Sequence, residues 1–382
     1  MKNVLFVGAD STGGALSHFG LAMEKSLAEI GISFYWLEAS ETEEFAANLS
    51  ATLNAREYSF VYSLIGVGKG FASADLPLWD SLGIPLITMY GDSPAYFYDL
   101  HANHGNWEVS LYFYEEHLKF RNRFPALGGA LEGVAPIIPV RSVAAGEVDL
   151  RAKEKGKIFF LKNGNDPQKL REFWKQSFQA RVYEALMQIS GTMAADLDSC
   201  THVNIVQMAL DYLASVGLTG GAEKLLLLMV AQLDDYARRL KSELIADVLL
   251  DYPAEVHGVN WEHLNTAGRN GTLVVESNYK KSDALIRDSL AIFDMSPNTV
   301  TGMHDRQMRA AAAQTLCVSN RQPLLNQLFP DAELFTYDFN RESLRQKVEW
   351  MLAHRSETVE LGVACAGKFD ETFTMEKTFF QL

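Results

Sequence analysis

The segment 289–320 constrains the fold of this chain more than any other part of the sequence. It opens with the apolar run 290–293, which is too short for a helix and suits a buried strand. A Ser-Pro-Asn turn breaks the pattern, and from Met303 onward the alanine content and the apolar spacing are those of a helix. Residues 316–318 are a second strand-like run. Strand, loop, helix and strand together predict one unit of a parallel α/β sheet.

The same alternation runs through the rest of the chain. Short apolar runs predict further strands at 3–7, 32–37, 59–65, 84–89, 109–114, 135–140, 157–161, 254–259, 272–275 and 333–337. Amphipathic segments predict helices at 16–30, 41–55, 76–82, 278–287, 342–354 and 357–369. A long helical region, 170–250, is predicted to break near Gly191 and at 217–221. Two successive strand–helix series predict two doubly wound parallel sheets.

Charged residues stand at the start of the helix within the segment 289–320. His304, Asp305 and Arg306 lie in the loop and the first helical turn. Ligands of parallel sheets bind at the carboxyl ends of strands, where helix N-termini attract phosphate. Two potential cations oppose the helix dipole at that end, and an anion bound between them would compensate. The alternative is that both side chains lie on a solvated surface turn.

This segment resembles the donor-binding segment of GT-B glycosyltransferases, in particular the bacterial group related to the CgeB spore-maturation proteins. The pattern of that group is an apolar strand, Asn-x-x-Pro-Asn, Gly-x-His-Asp/Glu-Arg, Phe/Met-Glu-Ala-x-Ala-x-Gly and a strand ending in Ser/Thr-Asp/Asn. The matching residues are Ser296, Pro297, Asn298, Gly302, His304, Asp305, Arg306, Met308, Ala310, Ala312, Ser319 and Asn320. The resemblance implies a nucleotide-sugar donor held by Ser296, Asn298, Gly302, His304, Asp305, Arg306, Ser319 and Asn320. It also implies that His304 and Arg306 stabilise the diphosphate leaving group without a metal.

Two positions depart from the pattern of the group. Arg309 stands where many relatives have a Glu that holds the donor ribose, and Gln314 stands where they have Gly. Both departures argue against a standard nucleotide pocket.

The resemblance also implies the domain organisation. We expect a GT-B architecture: α/β, two Rossmann-like doubly wound domains facing a cleft. Residues 1–150 would be the acceptor-side domain, joined through a polar linker at 142–156 to the donor domain, 156–370. The helical region 166–252 would be an insertion in the donor domain, and 371–382 would return to the first domain.

A loop rich in Asn and Gly follows the first predicted strand of the donor domain. GT-B enzymes commonly touch the donor phosphate at this second place. Asn163, Gly164 and Asn165 are therefore donor-binding candidates.

A glycine-containing loop follows the first strand of the chain. Gly13 and Gly14 allow a sharp turn and close approach of a ligand, but the spacing is not the dinucleotide-binding GxGxxG. A simple tight turn is the alternative. In GT-B enzymes this loop faces the cleft, so the resemblance implies these acceptor-side or catalytic candidates: Asp10, Ser11, Thr12, Gly13, Gly14 and His18.

Asp92 follows the predicted strand 84–89 and is the first candidate for a general base that deprotonates the acceptor. Asp10 and His18 are the other candidates. The Asp-x-Pro at this point also resembles the CgeB-related group. The alternative is that Asp92 caps the following helix. Tyr96 could stack on an acceptor sugar or belong to the core.

Composition limits the possible classes of function. The formal net charge of −14 argues against a nucleic-acid partner, which would need clustered Lys and Arg. Three widely spaced cysteines suggest no disulfide framework. No apolar run has membrane-spanning length, and the N-terminus does not resemble a signal peptide, so we expect a cytoplasmic protein. No metal motif such as HExxH occurs, and the DxD at 196–198 lies in the helical region.

The leading hypothesis is a metal-independent glycosyltransferase without a cofactor, using a nucleotide-activated sugar as co-substrate. One alternative is a sugar-nucleotide epimerase of the same architecture. Another is a non-catalytic protein that binds a nucleotide or sugar, which Arg309 and Gln314 would favour. The acceptor is left open between a glycan, a protein and a small molecule.

Overall fold

The computed structural model describes residues 3–8, 15–39, 43–73, 75–103, 105–124, 130–135, 148–218, 220–275 and 279–373. The chain divides into two compact units. The first is built mainly on Met1–Ala144, and the second on Ala145–Ser277 and Lys281–Glu371.

The first unit contains a six-stranded parallel sheet with the order β2-β1-β3-β6-β7-β8. Its strands are β1 (Asn3–Gly8), β2 (Ser33–Glu38), β3 (Phe60–Leu64), β6 (Leu86–Tyr90), β7 (Glu108–Tyr112) and β8 (Ala130–Val134). A two-residue antiparallel pair, β4 (Ala72–Ser73) and β5 (Leu76–Pro77), lies outside this sheet. Its helices are α1 (Ala15–Glu29), α2 (Glu43–Ala55), α3 (Leu78–Leu82), α4 (Tyr98–Ala102) and α5 (Glu115–Arg121).

Both faces of this first sheet are buried, which explains why β1 is a continuous apolar run. Val4 and Phe6 point to one face and pack in a cluster with Leu27 of α1. Leu5 and Val7 point to the opposite face. Because side chains alternate along a strand, β1 contributes to a hydrophobic core on each face of the sheet.

The second unit also contains a six-stranded parallel sheet, with the order β11-β10-β9-β12-β13-β14. Its strands are β9 (Ile158–Leu161), β10 (Ala254–His257), β11 (Thr272–Val274), β12 (Ala291–Phe293), β13 (Leu316–Asn320) and β14 (Thr336–Tyr337). Counted within the unit this order is 3-2-1-4-5-6, the arrangement of a Rossmann sheet. The chain order reverses between β9 and β12, which are direct neighbours.

Helices connect these strands and form the inserted region. They are α6 (Leu150–Glu154), α7 (Pro167–Ser177), α8 (Ala180–Met193), α9 (His202–Ser215), α10 (Glu223–Leu249), α11 (Tyr279–Arg287), α12 (Asp305–Ala312), α13 (Pro323–Leu328), α14 (Arg341–Ala353) and α15 (Arg355–Thr372). A short 3₁₀ helix, Ala332–Leu334, precedes β14. No helix among the described residues is long and apolar enough to cross a membrane.

Several predicted elements differ from the observed ones. The last strand of the first unit forms at Ala130–Val134, whereas the predicted strand 135–140 lies outside the described residues apart from Ala135. Gly191 lies inside α8, and the break comes after Met193. There Thr201 begins α9 by accepting the Asn204 N–H at its side-chain oxygen (3.3 Å). Gly191 therefore does not mark the end of α8. The capping residue Thr201, which begins α9, indicates the break better.

Candidate functional site

The carboxyl ends of β9 and β12 lie side by side in the second unit, because the two strands are neighbours in the sheet. This is the point at which the strand order reverses, and Rossmann sheets bind ligands in the crevice outside it. The segments that follow these two strands therefore form the candidate site.

Asp294 follows β12 directly and is fully buried. Its backbone is fixed by two neighbouring strands: its N–H donates to the Val318 carbonyl (2.8 Å), and its own carbonyl accepts from the Tyr337 hydroxyl (2.6 Å). The position of the carboxylate is thereby tied to the sheet.

His304 and Arg306 converge on this carboxylate from the start of α12. The Nδ1 atom of His304 lies 2.9 and 3.0 Å from the two Asp294 oxygens, and an Arg306 Nη1 donates to Oδ1 at 2.6 Å. The other ring nitrogen of His304 lies 3.0 Å from a carboxylate oxygen of Asp305. Two of the predicted donor residues therefore meet at one buried carboxylate and a third, Asp305, contacts His304, with 18% of the His304 side chain and 16% of the Arg306 side chain exposed.

Asp294 stays ionised because its neighbours outweigh its burial. Burial by itself would raise the pKa of a carboxyl group, but His304 and Arg306 hold the pKa of Asp294 below its ordinary value. Our sequence prediction did not include Asp294. The available signal was an acidic residue immediately after a buried strand, at the strand's carboxyl end.

Hydrogen bonds of Gln307 fix the first turn of α12. Its side-chain oxygen accepts from the His304 N–H (3.0 Å), and its amide nitrogen donates to the Ser319 hydroxyl (2.6 Å). The helix begins at Asp305, two residues later than predicted, because His304 is its N-cap residue. Ser319, a predicted donor residue, thereby holds the helix start against β13.

Lys162 adds a further positive charge at the end of β9. Burial lowers the pKa of this lysine to about 8, and the nearby guanidinium groups of Arg306 and Arg238 lower it as well, while Asp294 opposes them. Arg238 projects from α10 and pairs with the buried Asp234 at 2.7 Å. Our sequence prediction selected the loop 163–165 and did not include Lys162, the residue directly before it.

The remaining predicted residues of the loop after β12 make contacts within the protein. The Asn298 amide donates to the carboxylate and the backbone carbonyl of Asp234 (3.0 Å each), and its oxygen accepts from Lys241 (2.9 Å). The Ser296 hydroxyl donates to the Thr299 carbonyl (2.7 Å). Ser296 and Asn298 are each 2% exposed, so in this state they shape the loop from within.

Asn320 and Gly302 complete this loop. The side-chain oxygen of Asn320 accepts the Ser296 N–H at 2.9 Å, which ties the end of β13 to the loop after β12. Gly302 is buried two residues before His304.

The predicted loop 163–165 packs against the segment after β10. The side-chain oxygen of Asn163 accepts the Val259 N–H (3.2 Å), and that of Asn165 accepts from the Asn260 amide (3.3 Å). A Cβ atom at Gly164 would lie 2.2 Å from the Trp261 ring, so only glycine fits there. Asn163 and Asn165 are exposed at this edge of the sheet.

The two departures from the family pattern have structural explanations. Arg309 is 3% exposed, and its guanidinium donates to Asp283 (2.9 and 2.6 Å) and to the Ser282 hydroxyl of α11. Gln314 follows α12 with a φ of +52°, the left-handed backbone for which glycine is the usual residue. The Gln314 departure thus concerns the end of a helix, whereas Arg309, at the position where the resemblance implies an acid, is bound to α11.

The acceptor-side candidates belong to the first unit. Asp10, Ser11, Thr12, Gly13 and Gly14 lie outside the described residues, and for His18 only the backbone, within α1, is described. Asp92 is exposed two residues after β6, and Tyr96 is half-buried with its ring 6.4 Å from that of Phe97. The N-cap residue of α4 is Phe97.

Among the described residues, no group of three or more His, Cys, Asp or Glu side chains could hold a metal ion. Chemically, the site in the second unit combines a helix N-terminus with the side chains of His304 and Arg306 on one buried carboxylate, and Lys162 follows the neighbouring strand β9. Such an arrangement can bind an anion and stabilise negative charge that develops on it.

No family model matches this chain, and no curated protein matches it either. Solved structures do match over its whole length. The sucrose-phosphate synthase from Thermosynechococcus elongatus is 10% identical, with a TM-score of 0.52 and 97% of its chain covered. An alpha-glucosyltransferase in complex with UDP and DNA is 9% identical, with a TM-score of 0.57 and 98% of its chain covered. The same kind of enzyme in complex with UDP-glucose and DNA has a TM-score of 0.54 at 8% identity. With its two six-stranded parallel sheets and these matches, the chain has the α/β fold of GT-B glycosyltransferases.

Proposed function

We propose that this protein is a glycosyltransferase that moves a sugar from a nucleotide-activated donor to an acceptor, without a metal ion. The observation that carries the proposal is the convergence of His304 and Arg306 on Asp294 at the switch point of a Rossmann sheet, with Lys162 at the end of the neighbouring strand β9. The fold, which the chain shares with an alpha-glucosyltransferase solved with UDP-glucose, supports the same reading.

The charges at the site favour a diphosphate. Lys162 and Arg306 each carry a positive charge, and a protonated His304 would add a third, against the negative charges of Asp294 and Asp305. A diphosphate between these groups would receive charge-assisted hydrogen bonds, each contributing about 1.5–3 kcal/mol. The backbone N–H groups at the start of α12 add to the attraction.

The same groups can serve the chemical step. When the bond from sugar to phosphate breaks, negative charge grows on the leaving diphosphate, and cations already in position stabilise it. These side chains would do the work that a bound metal does elsewhere, so we expect turnover to survive a chelator.

The proposal assigns roles to the rest of the chain. Residues 156–370, with the helical insertion 166–252, are the donor domain, and 1–150 are the acceptor-side domain. We also propose that the segment 371–382, of which 374–382 lie outside the described residues, returns to the first domain. The motif at 296–320 resembles that of the CgeB-related group, and we propose that the chain is related to it. A net charge of −14 favours a glycan, protein or small-molecule acceptor over nucleic acid.

Replacement of Arg306 tests the donor site. We expect Arg306→Ala to weaken the binding of the best nucleoside diphosphate about ten- to a hundredfold, because one or two charged hydrogen bonds are lost. Binding of the bare nucleoside should change far less. Titration calorimetry with uridine, guanosine, thymidine, cytidine and adenosine diphosphates gives both values.

Arg269→Ala is the matched control. It removes an arginine of the same unit that pairs with Asp247 and Asp251, well separated along the chain from the site segments. It should lower stability and leave the affinity for the diphosphate unchanged. Equal affinities of the wild type and Arg306→Ala would make Arg306 a structural partner of Asp294 and remove the support for this donor site.

The base on the acceptor side is the second element of the proposal. We expect Asp92→Asn to lower kcat at least a hundredfold while donor affinity stays unchanged, because a general base acts on the acceptor hydroxyl alone. Hydrolysis and transfer assays with the best sugar nucleotide measure this. Unchanged turnover in a folded variant would end the role of Asp92 and leave Asp10 and His18 as candidates.

A non-catalytic nucleotide-binding protein is the second candidate. The bonds of Arg309 to Asp283 and Ser282 favour it, because the ribose-binding acid of active relatives is replaced by a residue held within the fold. Tight binding of a nucleoside diphosphate without hydrolysis or transfer over a broad acceptor panel would support this candidate instead.

A further inference from the structure

We propose that Asp294 is the positioning residue of the donor site: its buried carboxylate fixes His304 and Arg306 in the arrangement that receives the diphosphate. The inference rests on the proposed function and adds a residue that touches no part of the substrate. Its role is exerted through the two cations.

The first argument is that the backbone of Asp294 is fixed. Asp294 is fully buried, its N–H donates to the Val318 carbonyl of β13, and its carbonyl accepts from the Tyr337 hydroxyl of β14. A buried side chain whose backbone is held by two strands is a reference point for side chains that arrive from another segment.

The second argument is the direction from which the cations approach. His304 and Arg306 bond to Asp294 at 2.6–3.0 Å and remain partly exposed, whereas Asp294 has no exposed surface. The carboxylate therefore lies behind the cations, as seen from solvent. An incoming anion would meet the cations first and could not reach Asp294 itself.

The third argument concerns entropy. Arginine loses much rotamer entropy when its side chain is ordered. A partner that orders Arg306 before the donor arrives removes most of that loss from the binding step. The carboxylate also restricts the imidazole, because Nδ1 must face Asp294 while Nε2 faces Asp305.

A competing role would be that Asp294 neutralises the site and competes with the donor for Arg306. The two roles predict opposite results for Asp294→Asn, a change that keeps the shape and removes the charge. As a positioning residue, its loss should weaken diphosphate binding about tenfold or more. As a competitor, its loss should strengthen that binding, and this result would overturn the proposal.

A double-mutant cycle separates positioning from general damage. If Asp294 acts through Arg306, the tenfold loss should shrink to less than about threefold when Asp294→Asn is made in the Arg306→Ala background. Full additivity of the two losses would overturn the proposal. Glu108→Gln is the matched control, because Glu108 is a buried carboxylate of the first unit that pairs with Lys69 at 2.6 Å. It should lower stability without changing diphosphate affinity.

A ligand-free measurement keeps this test distinct from the test of the proposed function. Histidine nitrogen–proton NMR spectra, with His304→Gln to assign the signal, should show a hydrogen-bonded Nδ1–H at His304 that disappears in Asp294→Asn. If no nucleoside diphosphate binds the wild type, the proposed function fails, while the spectrum still decides whether Asp294 positions His304. An unchanged His304 signal in Asp294→Asn overturns the proposal whatever the ligand result.

Discussion

At the residue scale, Lys162 makes donor binding dependent on pH. Burial and the nearby arginines lower the pKa of this lysine from 10.5 to about 8. The ammonium form that attracts phosphate therefore predominates below about pH 8 and is lost as the pH rises through 8. We expect the affinity for a nucleoside diphosphate to fall above pH 8, by at most about tenfold per pH unit, since one proton is linked to binding.

Lys162→Arg provides the control for this dependence. An arginine does not titrate in this range, so the affinity of the variant should stay level between pH 7.5 and 9.5. Calorimetry in buffers of different ionisation enthalpy would also show a proton taken up on binding to the wild type above pH 8. An identical fall in the wild type and in Lys162→Arg would assign the pH dependence to another group.

The sequence predicted some residues of the site and missed others for a physical reason. His304, Asp305 and Arg306 could be found because a helix start after a strand is visible in the pattern of residues. Asp294 and Lys162 could not, because a strand pattern gives the strand's end but not which of the next side chains turns inward. Ser296 and Asn298 were predicted as donor ligands, and their burial became visible only with the packing of α10.

At the element scale, Asn298 ties the loop after β12 to α10. Its side chain bonds to Asp234 and Lys241, both buried charged residues of that helix, and its backbone carbonyl accepts the His202 N–H (2.6 Å). A φ of +59° suits asparagine better than most residues. One residue therefore holds the inserted helices and the site loop together.

Removal of this side chain should be costly. Asn298→Ala removes the buried hydrogen bonds of the Asn298 side chain to Asp234 and Lys241 and places alanine in a left-handed conformation, so we expect a loss of about 2–4 kcal/mol of unfolding free energy. Urea unfolding measures it. Gln346→Ala, an exposed amide that bonds to Glu342 within α14, should cost less than about 1 kcal/mol.

The two possible roles of Asn298 differ in one measurement. If it is mainly structural, folded Asn298→Ala should bind the nucleoside diphosphate within about threefold of the wild type. A loss of a hundredfold in a variant that is still folded would restore Asn298 as a direct donor ligand, as the family resemblance implied.

The order of elements was predictable because most strands and long helices carry their own periodicity. Both six-stranded sheets follow from runs such as 3–7 and 157–161, whose apolar residues are buried on both faces. The helices α4, α5 and α13 were not predicted. Each has seven residues or fewer, which is too short for a helical apolar pattern to repeat, and tertiary packing stabilises them.

At the scale of the whole molecule, the division into two units bears on how ligands stabilise the chain. Each unit has its own parallel sheet, and the proposed donor groups all belong to the second unit. A chain with two such units need not unfold in one step. A donor that binds native groups of one unit should stabilise that unit first.

We therefore expect calorimetric unfolding to show two transitions, and a nucleoside diphosphate should raise the temperature of only one of them. At a ligand concentration one hundred times Kd, the stabilisation of that transition is about 2.7 kcal/mol by mass action. Two variants assign the transitions: Glu108→Gln should lower that of the first unit, and Asn298→Ala that of the second, because each removes buried polar partners in one unit alone. The diphosphate should raise the transition that Asn298→Ala lowers. An equal rise in the temperatures of both transitions would show that the donor is bound by groups of both units. If only the transition that Glu108→Gln lowers rises in temperature, the donor site lies in the first unit. That result would contradict the assignment made from Asp294, His304 and Arg306.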